Sequence, residues 1–307
     1  MNFNPLDIEL LNAVSNLRGV PSGAVNIRLN GQAAVRKSSS NITIIPKEGK
    51  PGITVEIKPG TRNETVHVPV LLTSPGLIDK VYNTFIVGED ADITIIAGCG
   101  IHNDSHSHSQ HDGIHEIIVK KGARMQYIEK HYGEGEGTGK RILNPTTVVT
   151  VEKGATAEME MVQIKGVDDT IRKTQAFIHD KGNLKIIEKL LTQNSQHAES
   201  IIEMIITGRG GTAQVLSRSV AQNVSSQVFH ATLVGKTECF GHVECDAIIM
   251  DDATIKSVPE LSAENSEAVL THEAAIGKIA GEQLIKLMSL GLTEQEAINT
   301  ILEGFLR

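Results

Sequence analysis

Val119-Lys120-Lys121-Gly122-Ala123 precedes an alternating run, Met125 to Ile128, and Val151-Glu152-Lys153-Gly154-Ala155 precedes Ala157 to Val162. Ile178-His179-Asp180-Lys181-Gly182-Asn183 leads into Leu184 to Leu191, and Ile206-Thr207-Gly208-Arg209-Gly210-Gly211 into Ala213 to Leu216. A looser copy, Val87-Gly88-Glu89-Asp90-Ala91, stands before Ile93 to Ile96. Each unit reads strand, glycine turn, strand, and recurs at roughly thirty residues, within the range of solenoid repeats. No unit holds a helical pattern, which argues against strands alternating with helices around a parallel sheet. Aromatic residues make up only 3% of the chain and Trp is absent. Small and β-branched side chains must therefore fill the interior, which suits a thin stack of coils. The expected fold is mainly β, a parallel β-helix over residues 24–256. An antiparallel sandwich or barrel is the competing reading.

Outside the repeat, Leu6, Ile8, Leu10, Leu11 and Val14 recur at helical spacing until Gly19 and Pro21-Ser22-Gly23 end the pattern, giving a helical segment over residues 1–23. From Ala24 the period becomes two, with Val25, Ile27 and Leu29, then Ile42 and Ile44, then Ile53, Val55 and Ile57. After Pro259 the spacing reads as helical again. Ile276, Ile279, Leu284, Leu287 and Met288 line one pattern, and Gly291 breaks it. Thr293 with Glu296 forms a capping box, and Ala297, Ile298, Ile301, Leu302 and Phe305 share one face beyond it. Residues 257–307 are thus expected to form a C-terminal helical domain.

The net charge is -8, without the clustered Lys and Arg of a nucleic-acid footprint. Three cysteines in 307 residues do not make a disulfide framework and point to a reducing cytoplasm. Met1 to Leu17 lacks the basic start and apolar run of a signal peptide, and no stretch has the apolar length of a membrane span.

Cys245, in Glu244-Cys245-Asp246, is the first candidate for chemistry. A thiolate is a soft ligand for iron–sulfur clusters and a nucleophile, although a buried cysteine in a narrow interior is usually inert. Cys239 has the same strand parity, and Cys99 has no acid or base near it in sequence apart from the loop that follows. His272-Glu273 opens the expected helices, where one residue can face a metal while the other caps or orients. The stretch from His102 to His115 holds five of the twelve histidines, among them His106, His108, His111 and His115. Their spacing fits no zinc motif, so a solvated loop and a metal site are both open. Gly133-Glu134-Gly135-Glu136-Gly137-Thr138-Gly139-Lys140 fails as a phosphate loop, because Glu134 and Arg141 stand where Gly and Ser or Thr are needed. It reads as a turn, and any energy source has to come from a partner.

Glu244-Cys245-Asp246, Ser257-Val258-Pro259, Ala263-Glu264-Asn265, Leu270-Thr271-His272-Glu273-Ala274 and Gly291-Leu292-Thr293-Glu294-Gln295-Glu296-Ala297-Ile298, ending in Gly304-Phe305, together resemble the SufB/SufD family of iron–sulfur cluster assembly scaffolds. The resemblance is specific over residues 241–307 and weaker, though continuous, over the repeat. It implies a right-handed parallel β-helix and a helical domain that docks the SufC ATPase. His111-Asp112-Gly113-Ile114-His115 and the short N-terminus resemble a compact branch of that family that works with one SufC-like ATPase. The family's cysteine at the position of Cys245 and its acidic residue at the position of Glu273 lie at a subunit interface and are linked to nascent cluster binding. SufD-like members lack that cysteine, which places this chain nearer SufB. The N-terminal cysteine motif of some SufB proteins has no counterpart here.

The resemblance thus implies a non-enzymatic scaffold that holds a transient iron–sulfur cluster. Cys245, Glu273 and His272 are its expected ligands across a homodimer axis. A SufC-like ABC ATPase docked through residues 273–305, with Ile298, Leu302 or Phe305 as anchors, and apo iron–sulfur recipient proteins are its expected partners. Two alternatives stand beside it. A carbohydrate-active β-helix enzyme is disfavoured by the absence of Trp and the presence of only three Tyr. A histidine-rich metal-binding protein would use the loop and not Cys245.

Overall fold

In the computed structural model, which describes residues 3–306, the alternating runs build two ten-stranded sheets. Sheet A runs β2 (Gln32–Lys37), β1 (Ala24–Leu29), β5 (Arg62–Leu72), β7 (Asp92–His102), β9 (Arg124–Glu134), β12 (Thr156–Lys165), β14 (Asn183–Thr192), β16 (Gly211–Ala221), β18 (Cys239–Ile249), β20 (Ala268–Gly277). Sheet B runs β19 (Thr254–Ala263), β17 (Ser226–Gly235), β15 (His197–Ile206), β13 (Asp169–Ile178), β10 (Arg141–Leu143), β8 (Ser109–Val119), β6 (Ile78–Val87), β4 (Gly52–Ile57), β3 (Ile42–Pro46). A further strand, β11 (Thr146–Val151), follows β10 between β8 and β13. Each coil gives one strand to each sheet, and coil pairs with coil in parallel. This is the β-helix that the repeat predicts.

The turns explain the repeated glycines. In the tight turns ending at Ala91, Ala123, Ala155, Gly182 and Gly211, the third residue takes the left-handed conformation, with φ of 53° at Asp90, 69° at Gly122, 65° at Gly154, 52° at Lys181 and 69° at Gly210. Glycine adopts it without a Cβ penalty. In the fourth unit Lys181, not the expected Gly182, carries the strain.

Side chains alternate across each strand, so register partners share a face. One inward column of sheet A is Glu129, Met161, Glu188, Ser217, Cys245 and Ala274. Its neighbour is Cys99, His131, Gln163, Leu190, Ser219, Ala247 and Ile276. Around these columns Ile95, Val149, Ile186, Ile202, Val215, Leu233 and Val243 belong to one apolar core that reaches from Ala24 to Cys245. Each fully buried aliphatic side chain contributes roughly 1.5–3 kcal/mol.

The interior also buries charge. Arg172 of sheet B donates to Glu129 Oε2 at 2.7 Å and to His131 Nδ1 at 3.3 Å, and its Nε lies 4.0 Å from Glu188 Oε2. With Nδ1 accepting, the His131 proton sits on Nε2, 3.4 Å from Glu129 Oε1. Burial opposes ionisation of Glu129, but the charge of Arg172 and the hydrogen bond from His131 outweigh it and hold its carboxyl well below the usual range. Burial pushes Glu188 up instead, against the pull of Arg172, Ser200 and Ser217. Toward the N-terminal end Asp79 joins Arg28, at 2.6 Å, to His111, at 3.2 Å. His115, facing Asn83 at 3.5 Å, is driven down to about 4, chiefly by burial.

The two ends differ. At the N-terminal end β1 and β2, and β3 and β4, pair as antiparallel hairpins. The helix α1 (Pro5–Ser15), capped by Asn4 and Asp7, lays Leu10, Leu11 and Val14 against Val25, Ile27 and Leu71 of sheet A. Gly100 makes room, since a Cβ there would come within 3.2 Å of Leu10. At the C-terminal end β19 and β20 are the outermost strands, and their far edges are unpaired among the described residues. This corrects the expected boundary at residue 257. Strands continue to Gly277, and only α2 (Gly281–Ser289) and α3 (Glu294–Phe305) are helical. Ile276, Ile279 and Leu284 do not belong to one helix, and His272-Glu273 lies in a strand. The Thr293–Glu296 capping box forms as expected. Of the terminal segments, Met1, Asn2 and Arg307 lie outside the described residues.

Removing the buried guanidinium with Arg172→Ala leaves Glu129 without its counter-charge and is expected to cost roughly 3–5 kcal/mol in urea unfolding. Adding Glu129→Gln to that variant is expected to return part of the loss. His115 gives a pH signature. Its folded pKa, about 4, lies below the 6.5 of a histidine in an unfolded chain, so between those values the unfolded chain takes up a proton that the folded chain refuses. Stability therefore falls as pH drops from 6.5 toward 4, by on the order of 3 kcal/mol for this group. His115→Gln is expected to flatten that slope relative to the parent in urea midpoints taken across the window.

Candidate functional site at the open end

Cys245 lies on β18, one coil from the open end, on the inward face with Val243 and Gly241. It is 5% exposed. Its Sγ stands 2.9 Å from Ser257 Oγ, which reaches across from β19 of the opposite sheet, and 3.6 Å from the backbone oxygen of Glu273. Burial raises the thiol's pKa, the charges of Asp246 and Glu244 add to the rise, and the Ser257 hydrogen bond offsets part of it. This is a protected thiol that needs a metal or a strong base to ionise it.

His272 and Glu273 separate at this site. His272 is the register partner of Val243 and takes the inward face, exposed because no coil lies beyond it. Glu273 is the partner of Glu244 and takes the outward face. The Cys245 and Glu273 side chains thus project to opposite sides of sheet A. Within one chain the strand alternation puts His272, not Glu273, on the side of the sulfur. The expectation that either residue caps a helix is corrected with the strand assignment.

The other cysteines differ. Cys239 is also inward, but at the far end of β18, beside Gly235 and Ala268. Cys99, 2% exposed, sits deep in the solenoid as the partner of His131. Burial, with the charges of Asp79 and Glu129, pushes its thiol well up. Four strands of sheet A stand between β7, which carries Cys99, and β18.

The histidine-rich stretch is not one loop. His111 and His115 are inward residues of β8, bonded within the core as described. His106 and His108 lie on an exposed turn, where His106 Nδ1 meets Thr138 Oγ1 at 2.6 Å and His108 Nδ1 accepts the Lys140 N–H at 2.8 Å. That turn stacks on the glycine run after Glu134. A Cβ at Gly135, Gly137 or Gly139 would come within 2.1–2.5 Å of the backbone from Asn103 to Ser107, so close coil-to-coil approach accounts for the glycines. Among the described residues no group of three or more His, Cys, Asp or Glu side chains is arranged to hold a metal ion.

Two features escaped the sequence reading. Ser257 was visible only as part of a motif, with no role. Glu129, His131 and Arg172 were passed over, although Met125 and Tyr127 share the parity of Glu129 and His131 and are core residues.

After β20 the chain turns back, and α3 lies over the outside of sheet A at β12 and β14. No α2 side chain is buried, and Ile285, Met288 and the following Leu290 are exposed. In α3, Leu302 is 8% exposed. With Leu306 it faces Val162, Ile164 and Leu191 across a groove of about 520 Å³ on the outside of sheet A. Leu302 is therefore turned to the solenoid and is not a free anchor. Among the described residues no helix is long and apolar enough to cross a membrane.

The family model described as SUF system FeS cluster assembly, SufBD core domain, matches residues 74–305. An iron-sulfur cluster assembly SufBD family protein of Methanothermobacter thermautotrophicus is 30% identical over 262 residues, covering 83% of this chain and 62% of the relative. One from Archaeoglobus fulgidus is 26% identical over 275 residues, 89% of this chain and 73% of the relative. The iron-sulfur cluster assembly protein SufB of Bacillus subtilis is 28% identical over 227 residues, 72% of this chain and 47% of the relative. The aligned part spans 62% of the length of the Methanothermobacter relatives. The match takes in both sheets from β6 onward, the Cys245 coil and both C-terminal helices, and on it the chain belongs to the SufBD family of SUF-system iron–sulfur cluster assembly proteins.

Proposed function

We propose that this chain is a non-enzymatic scaffold that holds a nascent iron–sulfur cluster at the open end of its solenoid. The observation that carries the reading is the placement of Cys245, an inward thiol one coil from an uncovered end, in a chain of the SufBD family. A cluster generally takes about four protein ligands, with thiolates preferred. One chain offers a single cysteine here, so the set is completed by a second copy. Two Cys245 thiolates joined by His272 imidazoles suit this geometry, and Glu273 enters only from a partner that approaches its outward face. Such mixed ligation holds a cluster less tightly than four thiolates and favours hand-over to apo recipient proteins.

The second copy follows from the ends. Unpaired edges on β19 and β20, with Leu261, Val269 and Ile276 exposed, are a pairing surface that needs cover. A two-fold joint there is isologous and brings the two Cys245 residues together. The ATP-driven step belongs to a SufC-like ABC ATPase in the same reducing cytoplasm. Its docking surface is the α2–α3 pair, with the exposed Ile285, Met288 and Leu290 taking the place of Leu302 beside Ile298 and Phe305.

Cys245→Ser is expected to remove most of the visible absorption after anaerobic reconstitution with iron and sulfide, while Cys239→Ser keeps it and circular dichroism is unchanged in both. Full reconstitution of Cys245→Ser, with loss on replacing His106, His108, His111 and His115, would sink the assignment and favour a histidine site. Ile276→Arg is expected to convert a dimer to a monomer in light scattering. Ile285→Asp with Met288→Asp is expected to abolish copurification of the ATPase and to leave the solenoid folded.

A further inference from the structure

Ser257 opens onto the interior from sheet B, and Cys245 meets it from sheet A. The two elements are joined here by side chains, Oγ to Sγ at 2.9 Å. The sulfur's other neighbour, the Glu273 carbonyl oxygen at 3.6 Å, can only accept. Either the thiol or the hydroxyl can donate between Sγ and Oγ, whereas toward the carbonyl only the thiol can. When a metal takes the place of the thiol proton, the carbonyl has nothing left to accept, and the contact with Ser257 persists only with the hydroxyl donating to sulfur. Ser217, the register partner of Cys245 on β16, is turned away toward Glu188 Oε1 at 3.4 Å.

We propose that Ser257 is a positioning residue of the Cys245 site, donating a hydrogen bond that holds the metal-bound sulfur in a single rotamer and draws electron density from it. The proposal rests on Cys245 being a ligand. Hydrogen bonds to ligating sulfur are among the levers that set cluster potential, so loss of this donor has a sign: the potential falls. A hydroxyl that only clasped the two sheets would change stability and leave the potential alone.

The full-length chain serves for the test. Reconstituted anaerobically with iron and sulfide, Ser257→Ala is expected to show a lower midpoint potential and a shifted visible spectrum, with Ser257→Thr returning both toward the parent. The metal-free chain supplies an independent readout. Ser257→Cys, in a background lacking Cys99 and Cys239, is expected to close an intrachain disulfide with Cys245 under diamide, seen as a mass loss on peptide mapping. A Ser257→Ala chain with the parent's potential and spectrum overturns the proposal, as does failure of the disulfide to form in a folded chain. Should Ser257→Ala lose its circular dichroism, the disulfide decides. A Cys245→Ser chain that reconstitutes like the parent refutes the ligand assignment itself, and does so whatever Ser257→Ala shows.

Discussion

Backbone hydrogen bonds between parallel coils place each residue directly over its counterpart in the coil before, and nearly everything else in this structure depends on that register. A slip of one residue would turn every inward side chain out. The stacking also fixes how much room an interior residue has, because the space between the two sheets is set by the side chains that meet there. Ile, Val, Leu and Met fit. Phe85 and Tyr127, packed edge to face with ring centroids 6.3 Å apart, are among the few rings that enter.

The same register forces polar interior residues to find partners across the sheets or within a column. Arg172 does so with Glu129 and Glu188, which flank it from the opposite sheet. Such a buried ionic group adds little net stability compared with an apolar replacement, but a shifted register would leave it unpaired at considerable cost. Its effect is to disfavour alternative stackings of a repetitive sequence, in which one aliphatic coil resembles the next.

The fold was legible because the turn signal and the period-two runs recur together from Val87 to Leu216. The end of the solenoid was not. In β19 and β20 the inward positions include Ser257, Pro259, His272 and Ala274, and no coil lies beyond them to demand large apolar side chains. The alternation fades, and the chance spacing of Ile276, Ile279 and Leu284 then imitates a helix. His111 and His115 failed for the opposite reason, since polar residues near a loop look solvated until strand parity counts them inward. Cys245 could be singled out from its motif. The side of the sheet taken by Glu273 could not, because that needs the strand assignment.

The hairpins that close β1 with β2 and β3 with β4 bear on polymer growth. A rod of stacked coils with two bare ends is a monomer for a filament, since every addition regenerates an identical sticky tip. Here the N-terminal tip is made of antiparallel pairs and the C-terminal tip of parallel strands, so the outer edges of β2 and β3 do not copy those of β19 and β20. Stacking one copy's C-terminal tip on another's N-terminal tip would set strands of unlike direction and length against each other, which works against head-to-tail growth along the axis.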